Sequence, residues 1–303
     1  NLLFGEMHGS DRSRGFGGTV YAVNNKGGEI LGQRVHTSLR EIGAPIDLVM
    51  IAIPPTYVKG VIEEAGALGT KAVIVITAGF AEMGEEGRAL QDSIVESARG
   101  FGMRVIGPNC LGVIRPKNQL NASFGNSSPP AGHIGLLSQS GALVTGMISY
   151  AQREKFGLSA AVSLGAKCDV DDQDILRFFA ADEETRAIAL YVEALHDPEQ
   201  FLEVAKDTTL SPDYWAGWSN AVASATVTQG TGVSAPFIAC LFCWFEKDAD
   251  GKRVPVEDIR TALGPDPDDK RKSRLCRAFW ARSDEGWAAG NPVPKIDADS
   301  FAP

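Results

Sequence analysis

The sequence predicts an α/β protein in which parallel strands alternate with helices, and three observations carry the prediction. Apolar runs of strand length, IDLVMIAIPP at 46–55 and KAVIVIT at 71–77, are continuous rather than alternating. Such runs suit strands buried on both faces of a parallel sheet. Between them TYVKGVIEEAGALG places Val58, Val61, Ile62, Ala65 and Leu68 at helical spacing and closes on Gly69, a C-cap residue. The same strand–helix alternation restarts after a loop rich in Asn, Ser, Pro and Gly, so the chain reads as two α/β domains in series.

Taken in order, GTVYAVN at 18–24 is an early strand, followed by the strand at 46–55, the helix and the strand at 71–77. A helix at 85–99 leads to the strand MRVIG at 103–107. The domain boundary is expected within 117–132, where the loop NQLNASFGNSSPPAG lies. Beyond it come the strand HIGLLSQSG, a helix at 141–154, the strand LSAAVSLG, a helix at 172–181 and the strand AIALYVE at 187–193. This divides the chain into 1–125, 126–206 and a divergent tail, 207–303. All five tryptophans lie in that tail, and 248–274 is charged and weakly periodic, a composition that favours poor order. A shifted reading frame and a genuine alternative C-terminus are both open readings of the tail.

Composition limits the function classes. With 303 residues, 44% of them hydrophobic and 22% charged, the chain can build a core in each domain. Its net charge of −9 argues against a nucleic-acid binder, which needs clustered Lys and Arg against phosphates. No apolar run reaches the ~20 residues of a membrane span, and the N-terminal residues lack the layout of a signal peptide. A cytoplasmic protein is expected, and its start at Asn1 rather than Met is what a fragment would show. The five cysteines are scattered, as for reduced thiols. Cys240 and Cys243 form CLFC, but no second ligand pair follows, so no metal site is expected.

The chemistry concentrates at strand ends. In a doubly wound sheet the ligand crevice lies beyond the C-terminal ends of the strands. Three such ends, Pro54 with Pro55, the run from Thr77, Ala78 and Gly79 to Phe80, and Pro108 with Asn109 and Cys110, are expected to line one edge. They suit a nucleotide-bearing cofactor, or are ordinary βα turns. Cys110 is either a nucleophile or a small packing residue, and no histidine in its motif would activate it. Ser138, Gln139, Ser140 and Gly141 sit where a strand gives way to a helix, which makes either an anion site at the positive helix end or a plain N-cap. Glu193 ends the strand AIALYVE, where a carboxylate needs a cationic partner or exposure, and His196 reads as a surface turn residue. A dinucleotide fold would show G-x-G-x-x-G with an acidic residue about 20 positions on, and none is present.

The ordered set GGTVYAVNNKGGEILG, IDLVMIAIPP, VIVITAGFAE, VIGPNCLGV, GLLSQSGAL, VSLGAKCDVD and ALYVEAL resembles the NDP-forming acyl-CoA synthetases over residues 17–206. That family includes ADP-forming acetyl-CoA synthetase and the succinyl-CoA synthetase alpha subunit. The resemblance implies a Rossmann-like CoA-binding domain followed by a flavodoxin-like domain. It also implies an acid–thiol ligase that interconverts acyl-CoA, phosphate and ADP with free acid, CoA and ATP, through an acyl phosphate and a phosphohistidine.

By motif, the resemblance places Lys26 at the CoA phosphates and Pro54, Pro55, Thr77, Ala78 and Gly79 along the nucleotide and pantetheine. It places Asn109 and Cys110 by the thiol end, Ser138, Gln139, Ser140 and Gly141 around the phosphoryl group, and Glu193 against the phosphohistidine. ATP or ADP with Mg would sit on a partner ATP-grasp module, so a hetero-oligomer or a longer parent chain is expected. The family's first strand and Gly-rich loop would precede residue 1. Its histidine would follow Glu193 by some 40 residues, yet no histidine follows His196, and the nearest echo, ATVTQGTG at 225–232, has none. This chain alone is therefore expected to be inactive, and a non-catalytic CoA-binding or regulatory module is the alternative reading.

Overall fold

The computed structural model describes residues 16–125, 127–208, 239–247 and 253–255. The chain forms two compact units, Asn1–Ile175 and Leu176–Pro303.

In the first unit a small sheet, β1 (Ala22–Val23), β2 (Gly28–Ile30) and β3 (Gln33–His36), has the order β1-β3-β2. Of the strand expected at 18–24, only Ala22 and Val23 are paired. Next come the runs expected to be buried: β4 (Leu48–Ile51), β5 (Ala72–Val75) and β6 (Arg104–Ile106) form a parallel sheet in the order β4-β5-β6. Helices α1 (Pro55–Ala67) and α2 (Glu85–Gly100) supply the crossovers. Pro55 opens α1 at the position where its fixed φ suits a helix and its missing N–H costs nothing.

Both helices end in the same way. The N–H of Thr70 reaches the Ala65 carbonyl and that of Gly69 the Gly66 carbonyl, while Met103 and Gly102 repeat the pattern on Ala98 and Arg99. This is the Schellman closure, and Gly69 and Gly102 hold the left-handed backbone it requires, at φ 83° and 68°. Each closure turns the chain straight into the next strand. The core between sheet and helices contains Val58, Ile62, Val73, Val75, Ile94 and Val105, all fully buried. Each such side chain contributes about 1.5–3 kcal/mol relative to exposure.

A third sheet in this unit follows. Strands β9 (Ala131–Ser138) and β10 (Leu158–Ser163) pair in parallel around helix α3 (Gly141–Glu154). β10 also pairs antiparallel with β7 (Gly112–Arg115), which in turn pairs with β8 (Leu120–Ser123). The expected loop at 117–132 therefore contains a strand. LNAS looks like loop because Asn121 and Ser123 are polar, but both are buried, and the Ser123 hydroxyl donates to Asn121 Oδ1 at 2.5 Å. Ile74, Cys110 and Ala122 pack with Ile106, Val113 and Leu120, so this sheet and the parallel β4–β6 sheet share apolar contacts.

Helix α4 (Asp172–Ala181) begins in the first unit. In the second, β11 (Ala187–Val192) pairs antiparallel with β12 (Ala239–Lys247), which pairs with β13 (Arg253–Pro255). Helix α5 (Pro198–Thr208) lies between β11 and β12 in sequence and buries Phe201, Val204 and Ala205. Those two strands belong to the tail set apart at 207–303. The rest of that tail, including 225–232, lies outside the described residues.

Candidate functional site

The three strand ends expected to line one edge do so. β4, β5 and β6 run parallel and adjacent, and hydrogen bonds tie their exits together. Thr77 Oγ1 donates to the Ile53 carbonyl at 2.7 Å, and the N–H of Asn109 donates to the Thr77 carbonyl at 2.9 Å. Pro54 and Pro55 open α1 beside them, and a Cβ on Gly79 would come within 2.8 Å of Pro55 Cγ. The N–H of Gly79 is held by Glu82 Oε1 at 2.7 Å. Burial raises the Glu82 pKa, but donors from the Gly79, Glu82 and Phe80 backbone outweigh it and leave the carboxyl below its ordinary value. Pro54, Ala78 and Asn109 are exposed on this edge, whereas Thr77 is half-buried.

Cys110 points the other way. It is 3% exposed, its Sγ lies 3.4 Å from the Val75 carbonyl, and burial pushes its thiol up to about 12. Such a thiol is protonated at neutral pH and is no nucleophile. The packing reading of this residue holds. Cys168 is likewise held near 12, first by burial and then by the Asp169 charge.

The second loop lies directly beside the first. A Cβ on Gly141 would stand 3.3 Å from Leu111 Cβ, and the N–H of Leu111 donates to Ser163 Oγ at 3.0 Å. Ser163 is the register partner of Ser138 across the β9–β10 pair. Ser138 Oγ accepts from the Ser140 N–H at 3.0 Å and donates to the Ser140 carbonyl at 2.9 Å. Ser140 Oγ caps α3 by accepting from the Leu143 N–H at 3.3 Å, so the plain N-cap reading of that hydroxyl is realised. The N–H of Val144 reaches the Ser140 carbonyl. Among the described residues, those of Gly141 and Ala142 are the first-turn donors that these bonds leave open to an anion.

Behind this loop are two side chains to which the sequence assigns no role, Lys167 within VSLGAKCDVD and Asp172 just after it: they form a buried ion pair, and Asp172 also accepts from Gln139 Nε2 at 3.1 Å. Nothing in a one-dimensional pattern separates such a lysine from a solvated one. The stretch 165–170 is laid along the first loop, with the N–H of Ala166 on the Pro108 carbonyl at 2.9 Å and that of Cys168 on the Gly107 carbonyl at 3.0 Å. Asp169 anchors it, accepting from the Val105 N–H at 2.9 Å and pairing with Arg104 at 2.9 Å and Arg99 at 3.2 Å.

The two remaining expected residues are Lys26 and Glu193. Lys26 is exposed in the turn before β2, its N–H on Asn24 Oδ1 at 3.0 Å. Glu193 belongs to the second unit and is exposed one residue beyond β11. No group of three or more His, Cys, Asp and Glu that could hold a metal ion occurs among the described residues, and no helix among them is long and apolar enough to cross a membrane.

Known proteins resemble this chain in sequence and fold. Residues 11–116 match the model of a CoA binding domain, and 131–212 that of a succinyl-CoA ligase like flavodoxin domain. The chain is 45% identical over 199 residues to the alpha subunit of acetate–CoA ligase (ADP-forming) I of Pyrococcus furiosus, covering 64% of this chain and 43% of the relative. It is 37% identical over 202 residues to 4-hydroxybutyrate–CoA ligase (ADP-forming) of Nitrosopumilus maritimus, covering 66% of this chain and 29% of that one. Among solved structures, the apo form of a dinucleotide forming acetyl-coenzyme A synthetase 1 from Ca. Korarchaeum cryptofilum superposes with a TM-score of 0.64 at 34% identity, over 68% of this chain and 44% of that chain. The chain thus spans less than half the length of these relatives. It carries a CoA binding domain followed by a succinyl-CoA ligase like flavodoxin domain, and over these domains it is similar to ADP-forming acyl-CoA ligases.

Proposed function

We propose that the chain is the alpha-type part of an ADP-forming acid–thiol ligase, handling acyl-CoA, phosphate and ADP on one side and free acid, CoA and ATP on the other. The observation that carries this reading is the adjacency of the two loops at Leu111. One loop is a strand-end edge suited to a CoA chain, and the other is a helix N-terminus suited to phosphate. A thioester carbonyl at Asn109 would then meet a phosphate at Gly141, the attack that yields acyl phosphate and frees the CoA thiolate.

In this reading Pro54, Pro55, Thr77, Ala78 and Gly79 border the CoA, Lys26 faces its phosphates, and Ser138, Ser140 and Gly141 frame the inorganic phosphate. Glu193 serves the phosphohistidine step, whose histidine is not among these 303 residues after His196. The functional division falls within 117–132. ADP or ATP and Mg belong to an ATP-grasp partner, subunit or domain, and the protein works in the cytoplasm, where Cys110 and Cys168 stay as free thiols.

Isothermal titration of the chain with CoA, NAD and inorganic phosphate tests the reading. CoA and phosphate are expected to bind in separate titrations and NAD not to bind. A chain that ignores CoA, or prefers NAD, sinks it.

A further inference from the structure

Behind the 138–141 loop Lys167 and Asp172 are 4% and 2% exposed. Lys167 Nζ donates to Asp172 Oδ2, and Gln139 Nε2 donates to both carboxylate oxygens, at 3.1 and 3.3 Å. A carboxylate only accepts, so the amide nitrogen of Gln139 is the atom that faces it. Asp172 is itself fixed at the start of α4, one residue after Asp171, whose Oδ1 accepts from the N–H of Gln173 and Asp174 at 3.0 and 3.2 Å. The other end of the link is fixed as well, since the N–H of Lys167 bonds the Leu164 carbonyl and that of Leu164 bonds the Ser138 carbonyl, both at 3.0 Å.

A lone carboxylate behind an anion site would repel the anion, because buried charges are weakly screened. Lys167 removes that charge where it arises. The pair therefore does two things for the loop: it ties down the Gln139 side chain and keeps the rear of the loop neutral.

We propose that Gln139 is a positioning residue rather than a phosphate ligand, and that Lys167 and Asp172 position it, which keeps the Gly141 and Ala142 N–H groups presented to phosphate. This inference rests on the reading of 138–141 as the phosphate site. It alters the expected role of Gln139 and adds two residues to the site.

Two substitutions separate the roles. Gln139→Met keeps the side-chain length and removes the amide while leaving the ion pair intact, and Asp172→Asn removes the charge opposite Lys167. Isothermal titrations with inorganic phosphate and with CoA are run on the wild-type chain, both single variants and the double variant. Each single variant is expected to weaken phosphate binding by about tenfold or more, with CoA affinity changed by less than about twofold. The double variant is expected to be no weaker than the worse single, because both changes break one link. Unchanged phosphate affinity in Gln139→Met, or equal losses toward CoA and phosphate, overturns the positioning role. A wild-type chain that binds CoA but not phosphate overturns the phosphate site itself and the proposal with it. Should Asp172→Asn fail to fold, Gln139→Met decides alone.

Discussion

The loops at 107–110 and 138–141 both end a strand in small residues, yet the first is held mainly through its backbone, whereas the second adds a network of its own side chains to its backbone bonds. Carbonyls of Gly107 and Pro108 receive the N–H groups of Cys168 and Ala166, and the N–H of Asn109 goes to Thr77. Around 138–141 the partners are the Ser138 and Ser140 hydroxyls, the Gln139 amide and the Lys167–Asp172 pair. A backbone-held loop tolerates changes of side chain but not of backbone shape. A side-chain-held loop has the opposite tolerance. The split suits a long ligand lying over main chain at the first loop and a small anion at the second.

The largest expected effect breaks the second loop. Asp172→Ala leaves Lys167 buried without its counter-charge, a loss of about 3–5 kcal/mol in unfolding free energy by urea titration. A loss under about 1 kcal/mol would show that the pair does not hold the loop.

Next is the backbone side of the comparison. Gly165 has φ 56°, and a Cβ there would stand 2.3 Å from both the Asn109 and Pro108 carbonyl oxygens. Gly165→Ala is expected to cost about 2–3 kcal/mol in the same measurement and to disturb CoA binding before phosphate binding. A neutral Gly165→Ala would mean that the first loop yields easily, and the contrast between the loops would fail.

The sequence showed these loops unequally. Continuous apolar runs at 46–55 and 71–77 announced buried parallel strands, and prolines or glycines marked their ends, so the strand ends that share one edge, from Pro54 to Asn109, were legible in advance. The β7–β8 hairpin was hidden because Asn121 and Ser123 are polar yet buried, with the Ser123 hydroxyl on Asn121 Oδ1, which no propensity foresees. The Gln139–Asp172–Lys167 link spans 33 residues and joins three residue types that are ordinarily solvated, so only the folded chain discloses it. Cys110 carried an ambiguous signal, and burial settled it.

A smaller effect tests the strap between the loops. Asp169 is raised by burial but lowered more by the Val105 N–H and by Arg104 and Arg99, and its pKa lies below the ordinary carboxylate value. A carboxyl depressed in the folded state stabilises at pH above its unfolded value, about 4, and that stabilisation is lost as pH falls through the folded value. Asp169→Asn, which retains an acceptor for the Val105 N–H, is expected to cost about 1–2 kcal/mol at pH 7. The gap from wild type should close below about pH 4. A gap independent of pH would assign the loss to shape rather than charge.

The smallest effect comes from outside both loops. Lys26 is exposed, so its attraction to the CoA phosphates acts through water and is worth about 0.5–1 kcal/mol, a two- to fivefold change in affinity. Lys26→Gln should therefore weaken CoA binding by that factor at low salt and by less at 0.5 M salt, where the Debye length falls below about 8 Å. Phosphate binding at 138–141 should not change. A loss above about thirtyfold would mean that the turn closes over the bound ligand and shields the contact from water, adding a side-chain clamp to an edge otherwise defined by backbone. No loss at any salt concentration would take Lys26 out of the CoA site and leave the strand ends as its whole extent.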